Sequence, residues 1–164
     1  MKYINNINEN TWPYDFSVVM AVYRVEDYLE DSVESLISQS IGFERIQLIL
    51  VDDGSPDKSG EICDNYKARY PQNIVVIHKE NGGVASARNA GLPFATGRFI
   101  NFMDSDDKFS PNTFKDVYKF FVKHEKDTDI CSVPIFFWGS REGEHWQNTK
   151  FKNGSRIIEL MTEY

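Results

Sequence analysis

Long apolar runs, clustered basic residues and paired cysteines are all missing from this 164-residue chain. No stretch approaches the roughly 18 consecutive apolar residues that cross a bilayer, so no segment reads as a membrane span. Lys and Arg number 18 against 25 Asp and Glu, which leaves a net charge of -7 and a pI near 5.0. That balance disfavours a surface that tracks nucleic-acid phosphates, and it means that an anionic ligand would need a metal. The only cysteines, Cys63 and Cys131, lie far apart and give neither zinc spacing nor a disulfide framework. They read as two small buried residues of a protein at home in a reducing cytosol. His78, His124 and His145 show no mutual metal spacing either. Residues 1–15 form an Asn-rich polar leader without a signal-peptide core. The expectation is a cytoplasmic protein, any peripheral contact with the inner face of a membrane being left to other parts of a longer chain.

What is present is enough hydrophobic (41%) and aromatic (14%) content for one core of ordinary domain size. Residues 16–22 are apolar and β-rich, and 28–39 then place Leu29, Val33, Leu36 and Ile37 at helical spacing behind a possible Asp27 cap. Residues 46–51 are almost wholly aliphatic, as a strand buried on both faces should be, and run into a turn at 52–57. A second helix follows, with Ile62, Cys63, Tyr66 and Tyr70 on its inner face. Residues 73–78 read as a third strand and 84–90 as a helix rich in small residues, ended or bent by Pro93. A fourth strand spans 98–103. Beyond it, Ser110 and Pro111 suit the cap and first turn of a helix burying Phe114, Val117, Tyr118 and Phe121. Residues 129–138 suit a fifth strand, with Pro134 placing it at an edge or bulge. This alternation predicts an α/β fold, an open and mostly parallel sheet with helices on both faces. We expect the core at 16–138 and the start of an incomplete acceptor-side region at 139–164, in which Trp138 and Trp146 read as a packed hairpin and 157–161 as a helical turn or two.

Sheets of this kind bind ligands at the carboxyl ends of their strands. Four informative loops fall there: Tyr23-Arg24, 52–57, 80–83 and 104–107. Asp52 and Asp53 end a buried strand, where a carboxylate can accept hydrogen bonds from a ligand's N–H groups or simply form an Asx turn. Asn81-Gly82-Gly83 lets the backbone come close to a ligand, and Arg88 stands one turn further on. Extended chain projects alternate residues the same way, so Asp104 and Asp106 should share one space, where two carboxylates suit Mg²⁺ or Mn²⁺ that also holds phosphate oxygens. A calcium loop of the EF-hand type is excluded, because Lys108-Phe109-Ser110-Pro111 supplies neither the Gly nor the bidentate Glu.

Four segments in this order, Val18-Val19-Met20-Ala21-Val22-Tyr23, Val51-Asp52-Asp53-Gly54-Ser55, Asn81-Gly82-Gly83-Val84-Ala85-Ser86-Ala87-Arg88-Asn89-Ala90-Gly91 and Asp104-Ser105-Asp106-Asp107, closely resemble glycosyltransferase family two. The resemblance implies a GT-A fold, a nucleotide-diphosphate sugar donor, often UDP-linked, a divalent metal (Mn²⁺ or Mg²⁺) and inversion at the anomeric carbon. It implies the donor-binding part of an enzyme that builds a bacterial-type surface polysaccharide or glycopolymer, with a glycan, lipid-linked or polymeric acceptor and further domains in the same polypeptide. Tyr23 would stack on the base beside Ala21, and Asp53, next to Asp52, would accept from the base's ring N–H. Gly83 and Arg88 would lie near the base or diphosphate. Asp104, Ser105 and Asp106 would form the Asp-x-Asp segment, with Asp106 the direct metal ligand and Asp104 supporting the metal and ribose. Ala21 and Arg24 stand where the family commonly has Pro and Asn. The general base is expected beyond Tyr164, since Glu142 and Glu144 sit in a polar loop.

Rival readings remain at this point. A nucleotidyltransferase would carry a Gly-rich, Lys-containing loop after the first strand, where this chain has Val22-Tyr23-Arg24-Val25. A receiver-like phosphoacceptor domain would place its acidic pair after the first strand instead of the second. A transfer-inactive nucleotide-binding domain of a larger protein would keep the fold and lose the chemistry.

Overall fold

A computed structural model describes residues 12–131, 133, 136–137 and 143–144. The chain divides into two compact units, Met1–Phe114 and Lys115–Tyr164.

The first unit is a four-stranded parallel sheet of β1 (Tyr14–Val22), β2 (Ile46–Asp52), β3 (Ile74–His78) and β4 (Gly97–Asp104), in the order β3-β2-β1-β4. All seven residues of β2 are buried, which is why its sequence is aliphatic except at Gln47, which accepts from the Ser17 hydroxyl, and at the terminal Asp52. Helices α1 (Leu29–Ile37), α2 (Ser59–Arg69) and α3 (Val84–Gly91) connect the strands. Right-handed crossovers carry the chain from β1 through β2 to β3 in one direction and then back past β1 to β4. The same handedness therefore puts α1 and α2 on one face and α3 on the other. Strand alternation agrees. Val19, Ile49 and Val51 pack with Ala87 of α3, while their fully buried neighbours Val18, Met20, Leu48 and Leu50 point the opposite way.

The fit of α3 depends on small residues. A Cβ at Gly91 would come within 2.7 Å of Val19 Cγ1 and 2.9 Å of Val51 Cγ2. Beside β1, the start of β4 is pinned by Ser17, whose hydroxyl donates to Gln47 Oε1 (2.6 Å) and accepts the N–H groups of Gly97 (2.8 Å) and Thr96 (3.1 Å).

Helix boundaries differ from expectation in two places. Tyr28, not Asp27, precedes α1 and makes no side-chain cap, because the chain already turns there through Val25, whose carbonyl accepts from Tyr28 and Leu29. The fourth helix, α4 (Thr113–Lys123), starts after Ser110-Pro111. The Ser110 carbonyl takes the Thr113 N–H at 3.1 Å, so those two residues make the turn before the helix. In the first unit, Phe114 packs edge-on against Phe16 and Phe109.

The second unit holds the rest of α4 and a short antiparallel pair, β5 (Phe136–Phe137) with β6 (Gly143–Glu144). Within the expected strand over 129–138, residues 129–131 and 133 are not strand, Asp129 being a poor strand former, and Phe136–Phe137 pairs in a separate sheet; Pro134 and the remaining residues of that stretch lie outside what is described. Residues 1–11, 145–164, Trp138, Glu142 and the side chain of Glu144 lie outside what is described, and with them most of the leader, most of the acceptor-side region and the final helical turns; Tyr14 and Asp15, placed in the leader by the sequence, belong to β1.

Candidate functional site

The strand order reverses between β1 and β4, and an open α/β sheet parts its loops at such a point to leave a crevice beyond the carboxyl ends. A cleft of about 460 Å³ lies there, walled by Ala21, Val22, Tyr23 and Val25 after β1, Asp53 after β2, Asn81, Gly83, Val84 and Ala87 around the start of α3, and Asp104, Ser105 and Asp106 after β4. Neighbouring register sets the spacing across it: Ala21 pairs with Asp104.

One end of the cleft is apolar and aromatic. Tyr23 is 42% exposed, and the Arg24 guanidinium lies 5.6 Å from its ring centroid, close enough to stack. Among the described residues Arg24 is the single non-glycine at positive φ (54°), a conformation that Asn adopts more readily than Arg.

Asp53 is 2% exposed, and its carboxylate is fully engaged. It accepts the Gly83 N–H at 2.7 Å, the Gly82 N–H at 3.0 and 3.1 Å, and the Lys79 ammonium. Asn81 Nδ2 reaches back to the Asp53 carbonyl at 3.0 Å. Burial alone would raise the Asp53 pKa, but Lys79 and the two glycine N–H groups outweigh it and hold it below the usual carboxylate value. Gly83 can turn because its φ is 82°, and a Cβ there would meet nothing, so the backbone is open to the cleft. The Asp53 carboxylate therefore clamps the loop leading into α3.

The opposite end is acidic. Ser105 is buried with its carbonyl accepting from the Ser32 hydroxyl of α1 at 2.7 Å, while Asp104 and Asp106 on either side are exposed. Both carboxylates thus line the cleft as expected, but by a turn with an anchored central serine instead of by extended chain, since β4 ends at Asp104. Asp107 turns the chain, its N–H reaching the Asp104 carbonyl at 3.1 Å. Lost hydration, and then the nearby charges of Asp106 and Asp104, raise the Asp107 pKa. Arg88 Nη2 donates to Asp104 Oδ1 at 2.5 Å, whereas Asp106 has no hydrogen bond or ion pair among the described residues. A hard divalent cation fits this donor set. No group of three His, Cys, Asp or Glu among the described residues could hold a metal alone, so the remaining ligands would be substrate oxygens and water.

Asp52 is not brought into the cleft. Successive strand residues face opposite ways, and its carboxylate turns toward α2, accepting from the Ser55 N–H at 2.9 Å and bonding His78 Nδ1 at 2.9 Å. His78 Nε2 meets Asp64 at 3.1 Å. Hydrogen bonds to Asp52 and Asp64 raise the imidazole above its ordinary pKa, against the opposing effect of burial. Sequence reasoning missed Lys79 and Ser32, which touch no ligand position but hold Asp53 and Ser105 in place. The one available signal was a serine within the apolar face of α1.

The Glycosyl transferase family 2 model matches residues 17–162. The minor teichoic acid biosynthesis protein GgaB of Bacillus subtilis (strain 168) is 53% identical over 157 residues, 96% of this chain and 17% of that protein. GgaA of the same organism, also a minor teichoic acid biosynthesis protein, is 45% identical over 91% of this chain and 34% of its own length. Among solved structures, S. aureus TarS 1–349 in complex with UDP superimposes with a TM-score of 0.64 at 30% identity, covering 74% of this chain and 38% of that one. The chain thus spans about a third or less of the two teichoic acid relatives.

Proposed function

Because the chain belongs to glycosyltransferase family 2, we propose that its cleft binds a nucleoside diphosphate sugar, a UDP-sugar first among them, for transfer to a hydroxyl of a bacterial surface glycopolymer. The observation that carries this reading is the convergence, in one crevice, of an aromatic platform, a glycine turn held open by Asp53 and an acidic pair. The UDP complex of TarS supports the choice of base, and the teichoic acid relatives support an anionic polymer as acceptor. The nucleotidyltransferase and phosphoacceptor readings have no such support.

In this reading Tyr23 offers its exposed face to the uracil, and Ala21 and Val22 floor the pocket. Asp53 acts at one remove: it fixes Gly82 and Gly83 so that the backbone can approach the nucleotide without a side chain in the way. Asp104 and Asp106 would hold Mn²⁺ or Mg²⁺, which when bound neutralises the leaving diphosphate. Arg88 supplies positive charge to the same region. With the leaving group stabilised in this way, the remaining task is to deprotonate the acceptor. The cleft's acidic residues, Asp53, Asp104 and Asp106, are committed elsewhere, so we place the general base outside the described residues. We place the reaction at the cytoplasmic side, where nucleotide sugars are made. No helix among the described residues is long and apolar enough to cross a membrane.

A thermal-shift panel of UDP, GDP, CDP and dTDP, each with Mn²⁺ and with chelator, tests the reading. UDP with Mn²⁺ should raise the melting temperature most, and the shift should vanish with chelator. Equal shifts for all four nucleotides would remove the base assignment, and no shift for any of them would remove the donor site.

A further inference from the structure

We propose that Arg88 is an exchangeable partner of Asp104: it holds Asp104 while the acidic pair is without a cation, and passes to the donor's diphosphate when Asp104 turns to the metal. This deepens the donor-cleft reading and rests on it.

Three observations carry the exchange. First, the carboxylate that would serve the metal is already neutralised. Arg88 Nη2 contacts Asp104 Oδ1 at 2.5 Å, while Asp106 two residues on has no hydrogen bond or ion pair among the described residues. The two acidic residues are therefore unequally partnered. Second, the guanidinium is incompletely satisfied where it sits. Its Nε is buried and donates to nothing among the described residues. An orphaned donor on a charged group is a standing cost, and a phosphate oxygen, which matches the planar donor fork, would remove it. Third, the pair is weak enough to give up. The Asp104 side chain is 56% exposed and that of Arg88 35%, the regime in which water reduces an ion pair to a small contribution. The distance to travel is short, since Arg88 sits little more than one turn beyond Gly83 and Val84, which line the same cleft as Asp104. The Phe102 ring, 6.0 Å from the guanidinium carbon, provides a flat surface beside it.

The exchange predicts effects of opposite sign for the two ligands. Without Arg88, the cation should bind the free protein more tightly, because Asp104 no longer has to be released. UDP in the presence of the cation should bind more weakly, because the diphosphate loses its partner. A purely structural Arg88 would weaken both ligands together, and a simple diphosphate contact would leave the cation alone unaffected.

Isothermal titration of the chain with Mn²⁺ alone, and with UDP at saturating Mn²⁺, distinguishes these outcomes in wild type, Arg88→Gln, Arg88→Lys and Arg24→Gln. For Arg88→Gln we expect Mn²⁺ alone to tighten by roughly two- to five-fold, the range a half-exposed pair supplies, and UDP to weaken by at least ten-fold. Arg88→Lys keeps a competing charge and should retain wild-type Mn²⁺ affinity while losing UDP affinity. It also serves if the glutamine variant melts early. Arg24→Gln removes a charge from the cleft mouth without touching Asp104, and should leave Mn²⁺ affinity unchanged. Unchanged or weaker Mn²⁺ binding by a folded Arg88→Gln, or equal tightening by Arg24→Gln, overturns the exchange. Absence of UDP binding in the wild type overturns the donor reading instead, and the Mn²⁺ titrations then still decide whether Arg88 competes for Asp104.

Discussion

Gly83 donates its backbone N–H to the Asp53 carboxylate at 2.7 Å, closing the loop after β3 onto the end of β2. Together with Gly82 and Lys79 this makes Asp53 the fastening for one whole wall of the cleft. Replacing Asp53 with Asn turns one acceptor oxygen into a donor facing two N–H groups and leaves Lys79 without its carboxylate. The variant should unfold in urea with a loss of roughly 3 kcal/mol, the cost of breaking a buried pair. Nucleotide affinity should fall with it, and a variant that kept full stability while losing UDP would instead make Asp53 a direct base contact.

Removing Asp106 should affect binding without affecting folding. The side chain is exposed and without a partner among the described residues, so Asp106→Ala should keep its stability within about 0.5 kcal/mol. Calorimetry should then show metal-linked UDP binding reduced beyond detection. Unchanged binding would exclude Asp106 from the site.

The hydroxyl of Ser32 is the reason Ser105 faces inward. Ser32→Ala leaves a buried carbonyl without its donor, at a cost of about 1 to 3 kcal/mol. Because this releases the residue between Asp104 and Asp106, Mn²⁺ affinity should drop although no candidate ligand has changed. Titration of Mn²⁺ against a variant shown to be folded checks this.

The bridge from Asp52 through His78 to Asp64 gives the fold a pH signature. The folded-state pKa of His78 is raised, so its contribution is fully present below the unfolded value near 6.5 and is lost as pH rises through the higher folded value. The stability difference between wild type and His78→Gln should therefore be largest near pH 6 and shrink toward pH 8. Melting curves across that range provide the check, and a gap that widens with pH would reverse the assignment. Asp53 behaves in the opposite sense: its lowered pKa gives stability that is present above the ordinary carboxylate value and lost as acid carries the pH down through the folded one.

The sheet was legible because its core strands are written in one alphabet. Residues 46–51 are aliphatic at every position but Gln47, the pattern of a doubly buried strand. The cleft's acidic residues were legible, since Asp104 and Asp106 both line it, but not their geometry: β4 ends at Asp104, and a turn instead of the pleat carries Asp106 there. The cleft was not legible at Asp52 and Asp53, which are chemically identical neighbours, since which of them faces the cleft depends on the phase of the pleat at the end of β2. Nor could the sequence reveal that Asp53 spends its oxygens on Gly82, Gly83 and Lys79, because these partners come from another loop and are fixed only once β2 and β3 pair. Asp27 and Ser110 are misleading for a related reason: each has capping chemistry, and each lies in a turn that the chain makes before its helix begins.

The reversal of strand order between β1 and β4 has an evolutionary consequence. The aromatic wall and the acidic wall of the cleft are carried by connections that leave in different directions, and they meet through the β1–β4 ladder, in which Ala21 pairs with Asp104, and through the Ser32 hydroxyl on the Ser105 carbonyl. Substitutions around Tyr23 can retune one wall, and substitutions around Ser105 the other, without either disturbing the sheet. A lineage built on this frame can change its nucleotide preference and its cation preference separately, one loop at a time.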